Sequence, residues 1–168
     1  IPDLVAQTRA GSTRALGRLI SFVEDGNSAV PQLMSLIADA TGRAHVIGLT
    51  GPPGAGKSTL TAALVGHYRG LGRRVAVLAV DPSSAFSGGA LLGDRIRMQQ
   101  HAIDPGVFIR SMASRGHLGG LAAATPQAVR VLEVAGFETV IIETVGVGQS
   151  EIEVASATDT VCIALAPG

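Results

Sequence analysis

The chain has 168 residues, 46% of them apolar, which is enough for one domain with a substantial core. Its 13 basic and 13 acidic residues cancel, and no basic stretch stands out, so a nucleic-acid footprint is not expected; nor does any apolar run reach the roughly 18 residues that span a bilayer. Cys162 is the only cysteine, which excludes a disulfide framework, and its apolar surroundings predict a buried, inert thiol.

Aromatics are only 3% of the chain, and 22 glycines accompany many Ala and Val residues, a composition that suits helices packed tightly on a sheet and joined by close turns. No signal peptide is recognisable, and Ile1 places the native start before this sequence, so we expect a cytosolic or organelle-matrix protein.

Residues 3 to 25 are expected to be helical, because Leu16, Leu19, Ile20 and Val23 recur at helical spacing. Gly26-Asn27 marks a stop. A second helix follows Ser28, with Val30, Leu33, Met34 and Ile37 on one face, and ends at Thr41-Gly42. These helices precede the first predicted strand and form an N-terminal arm over residues 1–43. It either packs on the core or offers a surface to a partner or second subunit.

Over residues 44–168 strands and helices alternate, the pattern of a parallel sheet covered by helices on both faces. His45 to Thr50 is a buried strand, followed by Gly51-Pro52-Pro53-Gly54-Ala55-Gly56-Lys57-Ser58 and a helix to about Arg69. Strand, Gly-rich turn and helix form the context that the phosphate-loop pattern G-x-x-x-x-G-K-[ST] requires, so the fold class is α/β with a P-loop.

The chemistry follows from residue type. The glycines let the backbone wrap closely around an anion, and successive N–H groups form a nest that the helix N-terminus reinforces. Lys57 is expected to reach the β- and γ-phosphates, and the Ser58 hydroxyl to coordinate Mg²⁺.

Gly70-Leu71-Gly72 breaks the loop helix, and an almost wholly apolar strand over residues 74–80 ends at Asp81. A Ser- and Gly-rich loop, Pro82 to Ala90, leads to a helix starting at Asp94. Val107 to Arg110 is a short strand, Ser114 to Gly120 a second flexible loop, and residues 121–135 a helix whose first turn Pro126 can set. Thr139 to Ile142 is a buried strand ending at Glu143, and Thr160 to Ala166 a further one.

Two strands therefore end in acids, Asp81 and Glu143, at the edge where parallel sheets bind ligands. Both are candidates for holding Mg²⁺ beside Ser58. Glu143-Thr144-Val145-Gly146 has the spacing of a D-x-x-G switch with Glu in the first place, and the Gly146 N–H can sense a γ-phosphate. Val147 follows it, so no water-orienting glutamine stands at the usual position; we expect slow intrinsic hydrolysis that awaits an activator. Gln149 is a substitute for that group, and Asp94 either orients water, binds Mg²⁺ through water, or simply favours a helix dipole. The four histidines show no metal-ligand spacing, and Arg110 and Arg115 either face phosphates or are ordinary solvated charges.

Beyond the phosphate loop, four motifs together resemble the MeaB/ArgK GTPases: Ala79 to Ser84, Ser87 to Arg95, Ser114 to Gly120, and Glu143 to Glu151. The resemblance runs from about residue 44 to 168, and the helical arm also fits. It implies a homodimeric GTPase chaperone, using GTP/GDP and Mg²⁺, for adenosylcobalamin-dependent methylmalonyl-CoA mutase or a related acyl-CoA mutase. It would gate cofactor delivery and protect the mutase, in the cytoplasm or, in a eukaryote, the mitochondrial matrix.

Carried over by motif, Gly51, Pro52, Pro53, Gly54, Ala55, Gly56, Lys57, Ser58 and Thr59 bind the phosphates, with Gly146 at the γ-phosphate. Ser58, Asp81 and Glu143 surround Mg²⁺, Lys57 and Asp94 are the catalytic candidates, and residues 81–94 and 143–151 are the two switches. Family members continue with a third switch, an N-K-x-D-type guanine-reading motif and a C-terminal dimerisation segment. None of these is in the sequence, so guanine specificity rests on the resemblance. The competing readings are an ATPase linked to amino-acid (lysine, arginine, ornithine) transport and a nickel-insertion chaperone, the latter lacking the His- or Cys-rich site it would need.

Overall fold

The computed structural model describes residues 1–81, 101, 103–113, 120–144 and 157–165. Among the described residues, five parallel strands form one sheet: β1 (His45–Thr50), β2 (Val75–Asp81), β3 (Val107–Ala113), β4 (Thr139–Thr144) and β5 (Thr160–Ile163). Their spatial order is β3-β2-β4-β1-β5. The central strands are apolar on both sides, as strands covered on two faces must be.

Alternation along the strands sends residues to opposite layers. Val75, Val77 and Ile141 pack with Val65 of helix α4 (Lys57–Gly70) on one face. Ala76, Leu78, Val80, Val140 and Ile142 face the other layer. That layer comprises α1 (Pro2–Arg9), α2 (Thr13–Glu24), α3 (Val30–Ile37) and α5 (Gly120–Val134). Leu16, Leu19, Ile20 and Leu33 are fully buried there, so the arm helices share the sheet's own core. Each such side chain contributes about 1.5–3 kcal/mol of burial, which favours the packed arm over a free one.

Several expectations are corrected. The first predicted helix is two helices, because Gly11 adopts φ 91° and Ser12 caps a new start, its Oγ accepting from the Ala15 N–H at 3.2 Å. Pro126 lies inside α5 rather than in its first turn. β3 runs three residues beyond Arg110, to Ala113. Among the described residues β5 is the outermost strand beside β1; Cys162 is only half-buried there and Val161 and Ile163 are exposed.

Arg110 is neither a phosphate contact nor a solvated charge. It projects into the arm layer and pairs with the buried Glu24 of α2, and donates to Ser21 Oγ at 2.9 Å. The helix expected at Asp94, the loops over residues 82–90 and 114–119, and Gly146 with the rest of residues 145–156 lie outside the described residues.

Candidate functional site

The phosphate loop leaves β1 after Thr50 and enters α4 at Lys57. Gly51, Gly54 and Gly56 take φ of 138°, 81° and 88°, values that L side chains rarely adopt, so these glycines set the path of the loop. Gly56 is the N-cap of α4 and, as a glycine, supplies no side-chain cap, so the loop's backbone runs directly into the helix N-terminus, the end that favours anions. Lys57 is 8% exposed, and its ammonium donates to the carbonyls of Gly51 (2.7 Å) and Pro52 (2.9 Å), spanning the loop from its far end. Ala55 N–H closes a turn on Pro52 O at 3.2 Å, and Ser58 is buried directly after Lys57. Pro53 lies on the exposed side of this turn, and Thr59 is exposed in the first turn of α4.

Glu143 arrives from β4. The register sets it beside Leu49 of β1 and Ala79 of β2, at the level where the loop begins. It lies two residues after Ile141 and so shares the α4 face of the sheet. Glu143 is 7% exposed, yet both carboxylate oxygens are satisfied: Ser58 Oγ donates to Oε1 at 2.7 Å, and Thr61 Oγ1 donates to Oε2 at 2.8 Å. Thr61 is one turn beyond Ser58 on the same helix face.

Asp81 ends β2, paired in register with Ala113 and directly after the Val80–Thr144 pair, so its backbone lies at the same sheet edge. Asp94 and Gly146 lie outside the described residues. The sequence-predicted Lys57, Ser58 and Glu143 are therefore brought together. Thr61 was not foreseen, although a hydroxyl three residues after Ser58 on a helix face otherwise turned to valine is the signal that could have found it.

The donor set suits Mg²⁺, which prefers hard oxygen ligands and takes one or two protein groups together with substrate phosphates. The Ser58 hydroxyl and the Glu143 carboxylate, 2.7 Å apart at the head of the helix, offer that chemistry. Among the described residues there is no cluster of three or more His, Cys, Asp or Glu that could hold a metal ion.

The family model described as methylmalonyl Co-A mutase-associated GTPase MeaB matches residues 16–168. The chain belongs to the MeaB family. A Pyrococcus horikoshii protein named as a candidate GTPase is 51% identical over 168 residues, covering 100% of this chain and 53% of that protein. The GTPase ArgK of Escherichia coli K12 is 40% identical over 95% of this chain and 49% of its own length. A mitochondrial methylmalonic aciduria type A homolog of Caenorhabditis elegans is 37% identical over 99% of this chain and 46% of its own. The chain thus spans about half the length of the curated relatives it matches. Among solved structures, an LAO/AO transport system kinase superposes with a TM-score of 0.72 at 30% identity, covering 97% of this chain and 49% of that one.

Proposed function

We propose that this MeaB-family chain carries the nucleotide site of a GTP-binding, GTP-hydrolysing chaperone for an adenosylcobalamin-dependent methylmalonyl-CoA mutase. In this reading it gates cofactor loading, protects the mutase, and works as a homodimer in the cytoplasm or the mitochondrial matrix. The observation that carries the nucleotide reading is the Ser58 hydroxyl held on the Glu143 carboxylate at 2.7 Å beside a glycine-shaped loop. The partner reading rests on the family and on the names its relatives bear.

The residues divide the work. Backbone N–H groups from Gly51 to Thr59 receive the phosphates, and Lys57 moves its ammonium onto their β- and γ-oxygens. Ser58, Asp81 and Glu143 hold Mg²⁺, with Gly146 at the γ-phosphate. When bound, the cation neutralises charge on the phosphoryl oxygens during transfer. Lys57 and Asp94 assist attack by water, and Val147 leaves hydrolysis slow until the partner supplies an activating group. In this proposal residues 1–43 form an arm and residues 44–168 the nucleotide core.

The test is GTP and ATP turnover by the full-length protein with Mg²⁺, with and without the mutase. Slow GTP hydrolysis that rises on adding mutase is the expected result. Fast ATP turnover indifferent to the mutase would overturn it. That outcome would favour an ATPase linked to amino-acid transport, the alternative that the name of the superposed transport-system kinase suggests.

A further inference from the structure

We infer that Thr61 is a positioning residue for the Mg²⁺-side carboxylate: its hydroxyl fixes Glu143 so that Ser58 can turn to the cation without the carboxylate swinging away. This inference rests on the proposed role of Ser58 and Glu143 around Mg²⁺.

Thr61 is enclosed in the layer between α4 and the sheet. It has 0% exposure and lies on the α4 face whose next buried residue is Val65, against Val75, Val77 and Ile141. A hydroxyl in such a layer is unfavourable unless it is hydrogen-bonded, and valine has the same shape without that requirement. Thr61 spends its hydroxyl on one acceptor, Glu143 Oε2, at 2.8 Å and 82 positions away in sequence.

Ser58 and Thr61 each hold one oxygen of the same buried carboxylate, Oε1 and Oε2. In the proposed reading Ser58 and Glu143 would hold the cation, so their mutual contact is the one that would rearrange on binding. The bond from Thr61 goes to the other carboxylate oxygen, Oε2, and would persist. Thr61 is β-branched and on a helix, which narrows its χ1 choices and makes the donor stiff. Groups that orient a metal ligand in this way typically change metal affinity by about 10–100-fold when removed.

The experiment compares the full-length wild-type protein with T61V, T61S, T61A and E143Q. Mg²⁺ is titrated into each protein's complex with a fluorescent GDP, and GDP affinity is also measured in EDTA. The expected result is that T61V weakens Mg²⁺ binding about tenfold or more, leaves GDP affinity in EDTA unchanged, and is rescued by T61S. If T61V does not fold, T61A against T61S gives the same comparison. Wild-type Mg²⁺ affinity in T61V or T61A, alongside a loss in E143Q, would overturn the role of Thr61 while leaving that of Glu143 intact. Mg²⁺ affinity unchanged in E143Q would overturn the reading of Glu143 itself, and the inference with it.

Discussion

A Cβ placed on Gly51 would stand 2.2 Å from the carbonyl oxygen of Ala164, inside any allowed contact. The cause is the last bond between β1 and β5, in which Ala164 N–H donates to Thr50 O at 2.8 Å and draws the two chains together where the phosphate loop begins. Gly51 also sits at φ 138°, which L residues rarely occupy. Gly51→Ala should therefore lose at least about 1–3 kcal/mol from backbone strain alone, and should weaken nucleotide binding by displacing the loop. Urea denaturation and titration with a fluorescent nucleotide check both. Wild-type values in the two measurements would mean that the contact is not maintained in solution.

The link between the arm and β1 depends on Glu133 of α5. Its Oε1 accepts from the N–H groups of Arg43 and Ala44, both at 2.8 Å, and its Oε2 accepts from Gly42 N–H at 2.9 Å. Glu133→Gln turns one acceptor into a donor that faces N–H groups. A loss of about 1–3 kcal/mol is expected, as for hydrogen bonds to a charged group. Local opening should also speed tryptic cleavage after the exposed Arg43, which a digestion time course reads directly.

Glu24 and Arg110 form a second link, between α2 and β3. Glu24 is the more buried partner, with 3% side-chain exposure against 25% for Arg110. Removing only the guanidinium, in Arg110→Met, leaves a buried carboxylate without its counter-charge. The expected cost is a few kcal/mol, below the ~3–5 kcal/mol of a fully buried pair because Arg110 is partly hydrated. Glu24→Gln should cost less, and adding it to Arg110→Met should recover part of the loss. Strictly additive effects in a double-mutant cycle would contradict the pairing.

The Arg69–Asp104 pair makes acid stability measurable. Arg69 Nε and a second guanidinium nitrogen contact the two Asp104 oxygens at 2.8 and 2.9 Å. That pairing, joined by the Gly106 N–H, holds the Asp104 carboxyl below its usual range, and the same pairing raises Arg69. The folded pKa is thus below the unfolded one, so Asp104 contributes stability above its ordinary pKa of about 4 and loses it as pH falls through the folded value. Asp104→Asn should lower the melting temperature at pH 7, and the difference from wild type should shrink towards pH 3. A constant difference across that range would rule out this linkage.

The legible parts of the molecule were those in which residue type and spacing carry the geometry. Gly51 to Ser58 demanded a loop between strand and helix, and strand parity placed Glu143 at the edge facing it. What was hidden depended on partners distant in sequence. Thr61 is an unremarkable helix residue until Glu143 is placed against it. Cys162 lies in an apolar run that reads equally well as a central strand. Only the order β3-β2-β4-β1-β5 shows it to be the outermost strand among the described residues, where the thiol is half-buried. The break at Gly11 was masked by an apolar period that resumes in α2 with little change of phase.

That strand order also governs how the protein can be made on the ribosome. β1 and β2 emerge early but never touch in the finished sheet, because β4 lies between them. A nascent chain that has released only these two strands has two apolar ribbons whose common neighbour, β4, has not yet emerged. Pairing them directly would close the slot that β4 must fill and would keep Glu143 from Ser58, 85 positions earlier. Such long-range closure is slow, so a period of exposed strand edges is built into biogenesis. The contact between Ser58 and Glu143 therefore arrives in one step, with the insertion of β4, rather than growing with chain length.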